Sequence, residues 1–314
     1  MKCFLTKIIL FFIAIAVIDI LFGQMCQYMN DHSKGGGVKS RYYICKESRE
    51  DVLIFGSSRA KHHYVPEIIE DSLDLTCYNA GEDGNGIILC YGFLKMITQR
   101  YSPKLIIYDV TGFDMYEDDN MKYLDLLKPY YHEPGIDSIF WAVNSKSRFM
   151  MMSNLYRFNT TCLRVIGNFL HPMASYPKGY CALYKTMEDF ECRSDSTDEN
   201  GETEDSLKLH YFEEFIRLAL SRDIFMICCV SPSYKSEPDD SKYNPIKLLC
   251  SQYGIPFLYN EAEPSIAFDK SFFQDRTHMN DLGARKYTNF MISSILSNYS
   301  RNKNFYNKSK YLFR

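Results

Sequence analysis

The sequence predicts an α/β fold: a three-layer, doubly wound parallel sheet of about five strands, with a large insertion after the third strand. Three observations predict it. Short apolar runs bounded by turn residues alternate with stretches of helical length and periodicity. The apolar runs are continuous rather than alternating, as expected of parallel strands covered on both faces. The alternation breaks once, over residues 111–200, and then resumes.

The elements follow in order. "DVLIFG" (51–56) is a short apolar strand ending in glycine, and residues 60–72 are helical. "LTCYNAG" (75–81) is a second strand, and "GIILCYGFLKMITQR" (86–100) has helical length and period. Pro103 precedes the third strand, "KLIIYDV" (104–110). Residues 111–200 are rich in Tyr, Met and Asn, with weak helical signals and no clear strand. Within 188–205, nine acidic residues against one Arg predict a solvated loop. A helix at about 205–221, the strand "DIFMICCVSP" (223–232), a helix at about 242–253, the strand "IPFLYN" (255–260) and a helix at about 281–297 complete the pattern. Strands separated by helices imply right-handed crossovers and a flavodoxin-like sheet with helices on both faces. Such sheets bind ligands at the carboxyl ends of their strands, where Gly56-Ser57-Ser58, Asn79-Ala80-Gly81 and the insertion lie.

The N-terminal segment is different in kind. From Phe4 to Phe22 only Thr6, Lys7 and Asp19 are polar, so residues 1–26 are expected to form a membrane anchor. Lys2 and Lys7 precede the apolar run, which orients the N-terminus to the cytoplasm and the body to the outside. A cleaved signal peptide is the rival reading, although no small-x-small site follows the run. Residues 27–50 carry "SKGGGVKSR" and are expected to be a flexible link. Residues 51–298 form the body, with 111–204 as its insertion, and 299–314 form a basic tail whose last fourteen residues carry five positive charges.

Composition excludes some functions. The 314 residues carry a net charge of −3, which offers no electrostatic basis for nucleic-acid binding. Aromatics reach 15%, with 25 Tyr, and such side chains suit sugars as well as cores. None of the 11 cysteines forms a CxxC pair or a Cys/His zinc spacing, so no metal and no cofactor are expected. Cys77, Cys90, Cys228 and Cys229 fall in core elements and read as small hydrophobes. In an exported body, Cys26–Cys45 or Cys181–Cys192 are candidate disulfides.

Candidate chemistry joins the two ends of the chain. Ser58 ends the first strand unit, and Asp275 and His278 stand three apart before the last helix. A serine nucleophile needs a base within hydrogen-bond reach, and the base needs an orienting partner. Ser57 is the neighbouring hydroxyl, more suited to structure. Arg59 is a candidate for the site or for a surface salt bridge. His62 and His63 follow the serine too closely to act as its base and read as surface or packing residues. Asp109 and Asp114, at the end of strand three, are candidates for the cleft wall, although they better suit a turn.

On these residues the chain resembles the SGNH/GDSL hydrolase superfamily, and in particular its membrane-anchored cell-surface members. Gly56-Ser57-Ser58 matches the first block and selects Ser58; "YNAG" matches the second and selects Gly81; Asp275 and His278 match the last, with "HMNDLGARKYT" as its continuation. The resemblance covers about 51–110 and 205–298. It implies a serine esterase or O-acyltransferase acting on an ester of a cell-envelope polysaccharide. Ser58, Asp275 and His278 are then catalytic, and the N–H groups of Ser58 and Gly81 form the oxyanion hole. The implied partners are a cell-surface glycan or acyl donor, and envelope proteins. The third block, Gly-x-Asn-Asp, is absent, because strand three runs into "YDVTGFD". Either Asn85 in "GEDGNG" substitutes, or the two backbone donors suffice, or the protein is a non-catalytic glycan-binding or assembly protein. A soluble intracellular hydrolase is a further alternative if the N-terminal segment is not an anchor.

Overall fold

The computed structural model describes residues 2–188 and 203–301. The chain forms two compact units. One joins the chain up to Glu47 with Asp119–Ser175; the other joins Ser48–Asp118 with the chain from Tyr176 onward.

The second unit has the α/β fold. Its sheet is built from β1 (Val52–Gly56), β2 (Cys77–Asn79), β3 (Leu105–Asp109), β4 (Phe225–Val230) and β5 (Phe257–Tyr259). All neighbours pair in parallel, in the order β2-β1-β3-β4-β5. β1 and β3 are buried along their whole length. Alternate residues face opposite sides, as the pleat requires. Val52, Ile54, Ile107 and Ile227 share one core with Tyr287, Met291 and Ile295 of the C-terminal helix Asp281–Arg301. On the other face Phe55 and Tyr108 meet Phe215 edge-on, with ring centroids 5.4 and 5.3 Å apart. Phe215 belongs to the helix Ser206–Ser221, whose start is capped by Asp205, its carboxylate accepting from the N–H groups of Leu207 and Lys208.

The order reverses at β1, whose neighbours are β2 on one side and β3 on the other. That reversal opens a crevice at the carboxyl ends of the strands. In the register there, Gly56 lies opposite Asp109. Gly56 has φ +138°, and a Cβ on it stands 2.6 Å from the Asp109 carbonyl oxygen. Only glycine turns the chain here, between β1 and the helix Ser58–His63 that follows.

In the first unit α1 (Lys2–Asp31) is long and apolar enough to cross a membrane. Residues 27–50 are not the flexible link expected from their glycines. α1 continues to Asp31, a helix spans Gly36–Tyr42, and a π-turn follows at Tyr43–Glu47. The glycines serve close approach: a Cβ on Gly35 stands 2.0 Å from the Met173 carbonyl oxygen, and one on Gly36 stands 2.2 Å from Asn168 Oδ1. Residues 119–175 are a series of short helices, the longest being Cys162–Leu170. Cys26 is a buried thiol outside any disulfide, so the Cys26–Cys45 bridge does not form. Cys192, most of the acidic loop and most of the basic tail lie outside the described residues.

Replacing Gly56 by Ala forces both a strained φ and a backbone clash. The loss is expected to be at least about 1–3 kcal/mol in denaturant unfolding of the solubilised protein. An unchanged midpoint would contradict this account of the β1 turn.

Candidate active site

The helix Ser58–His63 begins at the end of β1, which sets Ser58 at the mouth of the crevice. The loop before the C-terminal helix brings the other partners. It is a tight turn held by Asp275, whose Oδ1 accepts from the N–H groups of Thr277 and His278, both at 2.8 Å. An isolated bridge pairs Phe273 with Met279 across its base. Asn280 closes it by donating to the Ser271 carbonyl at 2.8 Å and accepting from the Gly283 N–H at 3.1 Å.

His278 Nε2 stands 2.7 Å from Ser58 Oγ, and its Nδ1 stands 2.9 Å from Asp275 Oδ2. The carboxylate can only accept, so Nδ1 carries the proton and Nε2 faces the serine O–H as acceptor. Burial pushes the Asp275 carboxyl up, but the hydrogen bonds it accepts from His278 and from the Thr277 N–H outweigh burial and hold it below its usual value. Ser58, His278 and Asp275 are thus one hydrogen-bonded series across 220 residues of sequence.

A second histidine supports this series. His63 is fully buried. Its Nε2 accepts from the Met279 N–H at 2.9 Å, so Nδ1 is the protonated nitrogen and donates to Ser231 Oγ at 2.8 Å. Burial, followed by the charges of Arg59, His278 and His62, holds its pKa well below the ordinary histidine value. His63 therefore ties the serine helix to the backbone immediately after His278. His62 is also buried rather than on the surface. Its two ring nitrogens face the Cys181 carbonyl at 2.6 Å and Asp83 Oδ1 at 3.2 Å. Burial works against its charge, but Asp83 and Cys181 raise its pKa to about 9, so both nitrogens donate.

Arg59 is not a surface salt bridge. It is buried, with Nε 3.2 Å from Asp109 Oδ2 and Nη1 3.2 Å from Glu261 Oε1. It also donates to Ser233 Oγ and the Val110 carbonyl, each at 3.3 Å. Burial works against the cation, but Asp109, Tyr243 and Glu261 raise its pKa far above the ordinary value. Asp109 Oδ1 further accepts from Tyr64 OH at 2.6 Å and the Ser231 N–H at 2.9 Å. Asp109 is thus a buried anion rather than a turn residue. Asp114 does serve a turn: with Thr111 it forms a capping box, and burial raises its pKa to about 6. Glu261 was not anticipated. Its sequence signal is its place just past β5, at the same sheet edge as the serine.

The remaining sequence candidates are placed less simply. A Cβ on Gly81 stands 2.4 Å from the Lys61 nitrogen, so this loop needs glycine to approach the serine helix. The Gly81 N–H, assigned to the oxyanion hole by resemblance, donates to Asn79 Oδ1 at 3.0 Å. Asn79 in turn donates to the carbonyls of Ala60 and Tyr64 at 2.7 and 3.0 Å. Asn85 turns into its own loop, with Nδ2 donating to the Asp83 carbonyl at 2.7 Å. Ser57 is buried and bonds the first helical turn, its carbonyl accepting from the Lys61 N–H at 3.2 Å.

Ser58 and Arg59 line a cleft of about 710 Å³, together with Phe113, Tyr116, Tyr234 and Tyr243. Among the described residues no cluster of His, Cys, Asp and Glu has the arrangement of a metal site.

No protein family matches the chain, and no curated protein does. Among solved structures, the chain is similar to an acetyl xylan esterase, AlAXEase, with a TM-score of 0.38 and 12% identity over 78% of this chain and 98% of that one.

Removing one partner of a buried ion pair leaves a charge without compensation. Asp109→Asn is therefore expected to destabilise the protein by about 3–5 kcal/mol in chemical denaturation. A loss below about 1 kcal/mol, the range of exposed pairs, would contradict the view that Arg59 is fastened by this charge.

Proposed function

We propose that the chain is a membrane-anchored SGNH-type serine esterase or O-acyltransferase acting on an ester, acetyl being the expected acyl group, of a cell-envelope polysaccharide. The observation that carries this reading is the hydrogen-bonded series from Ser58 Oγ through His278 to Asp275, opening on a cleft.

A serine hydroxyl is a weak nucleophile until a base takes its proton. In the first half-reaction Ser58 Oγ attacks the ester carbonyl carbon while its proton passes to His278 Nε2. The tetrahedral oxyanion then collapses, the alkoxide leaves with the proton from His278, and an acyl ester remains on Ser58. Water or a sugar hydroxyl attacks that ester in the second half-reaction. His278 takes the attacking group's proton and returns it to Ser58 Oγ. Asp275 holds Nδ1–H and offsets the imidazolium charge. The Ser58 N–H is the oxyanion donor in this reading. Gly81 joins it when Asn79 releases its N–H, and Asn85 joins only through a rearrangement of its own loop. The aromatic walls of the cleft favour a sugar. The apolar α1 favours an anchor with a cytoplasmic N-terminus and an external body, where glycan, acyl donor and envelope proteins are the partners.

One observation favours a second reading, a non-catalytic glycan-binding or assembly protein. The Gly81 N–H is already bonded to Asn79, and strand three supplies no Asn. Losing one oxyanion donor removes about 2.7–4 kcal/mol of transition-state stabilisation.

Labelling with a fluorophosphonate, followed by intact-mass measurement, separates the two. The esterase reading predicts one adduct on the wild type and none on Ser58→Ala. A well-folded wild type that takes no adduct would favour the binding protein.

A further inference from the structure

The unit formed by α1 and residues 119–175 carries a surface that the proposed chemistry does not use. α1 is bare over its apolar stretch: Leu5, Ile9, Phe12, Ile18 and Leu21 are each more than half exposed. From Phe4 to Leu21 it rises about 27 Å, close to the thickness of a bilayer's hydrocarbon core. Cover begins at Asp19, and Gly23 is the first buried position on the helix.

The covering segment is fixed there by two features one helical turn apart. The Asp19 carboxylate accepts four hydrogen bonds from Ser153, Asn154 and Leu155, between 2.7 and 2.9 Å. A Cβ on Gly23 stands 2.3 Å from Asn154 Cγ, so the helix admits Asn154 only at a glycine. Further on, Phe169 of the helix Cys162–Leu170 meets Tyr28 edge-on, at 6.1 Å between ring centroids. The short helices Asn154–Phe158 and Cys162–Leu170 therefore pack on α1 where its bare apolar stretch ends, and Ser147–Met150 precedes them in the chain.

Their outward side chains are those of a surface that meets lipid. Phe149 is 75% exposed, Met152 79% and Leu163 82%. Leu155 and Leu170 of the same segment are exposed as well. Arg148 and Arg164 are exposed on the same helices, and Trp141 sits half-exposed on the preceding one with Arg148 over its ring. Large apolar side chains gathered in this way are rare on a surface that meets only water. Amphipathic helices with apolar, cationic and Trp side chains lie in the headgroup layer of a bilayer.

We propose that residues 147–173 form an in-plane membrane collar, seated in the lipid headgroup layer where α1 leaves the bilayer. The occupant of this apolar surface is the bilayer itself, because two of its helices, Asn154–Phe158 and Cys162–Leu170, pack on α1 where the bare stretch ends, and Arg148 and Arg164 are exposed on the same segment as cations for lipid phosphate. The inference rests on the reading of α1 as an anchor. Asp19 and Gly23 then set the depth of the collar, and Phe149, Met152 and Leu163 enter the acyl boundary.

The test uses the full chain in phosphatidylcholine–phosphatidylglycerol vesicles. Trp141, the one tryptophan, is replaced by Phe, and either Phe149→Trp or Leu163→Trp supplies the reporter. Both positions are exposed, so folding is preserved. Lipid brominated near the carbonyl end of its chains is expected to quench both reporters, with blue-shifted emission shielded from aqueous iodide. Resistance to alkaline carbonate extraction reports separately on α1. Reporters quenched by iodide in protein that resists extraction would overturn the collar and leave the anchor standing. Protein released by carbonate with reporters open to iodide would overturn both.

Discussion

A single buried guanidinium organises the candidate site. Arg59 directly follows the serine and binds Asp109 at the end of β3 and Glu261 just beyond β5. Bringing these charges out of water costs several kcal/mol each, which only close pairing and further hydrogen bonds offset. The arrangement meets that condition. Asp109 is shared with Tyr64 and the Ser231 N–H, and Glu261 with Tyr243 OH at 3.1 Å and Lys242 at 3.0 Å. Such a cluster tolerates little displacement, so it fixes the serine helix against the carboxyl edge of the sheet.

The second constraint runs through His63. It accepts from the Met279 N–H and donates to Ser231, which itself donates to Asp109. The serine helix, the buried anion and the loop carrying Asp275 and His278 are thereby one connected network. The 2.7 Å contact between Ser58 and His278 is the visible result. Preorganisation of this kind is what nucleophilic catalysis asks of a scaffold.

Much of this was legible in the sequence, for physical reasons that differ by element. Parallel strands buried on both faces leave continuous apolar runs, so 51–56, 104–110 and 223–232 stand out, with β1, β3 and β4 inside them. Ser58, Asp275 and His278 were legible because a short local spacing carries each. Arg59–Glu261 was not, because a pair separated by 202 residues leaves no local pattern. The engagement of the Gly81 N–H by Asn79 is equally silent, since "YNAG" reads the same whichever partner the amide takes. The glycines of 35–37 misled because close approach and flexibility use the same residue. Residues 119–175 were obscure because their helices are too short to establish a period.

The central claim is that Ser58 and His278 act as one acyl-transfer unit. It is tested most directly by quenching the full-length protein during turnover of an aryl acetate and mapping acetyl groups on its peptides. The account predicts acetyl on the peptide holding Ser58 in the wild type, and its loss in His278→Ala. Turnover with no acetyl on Ser58, or acetylation undiminished without His278, would contradict it.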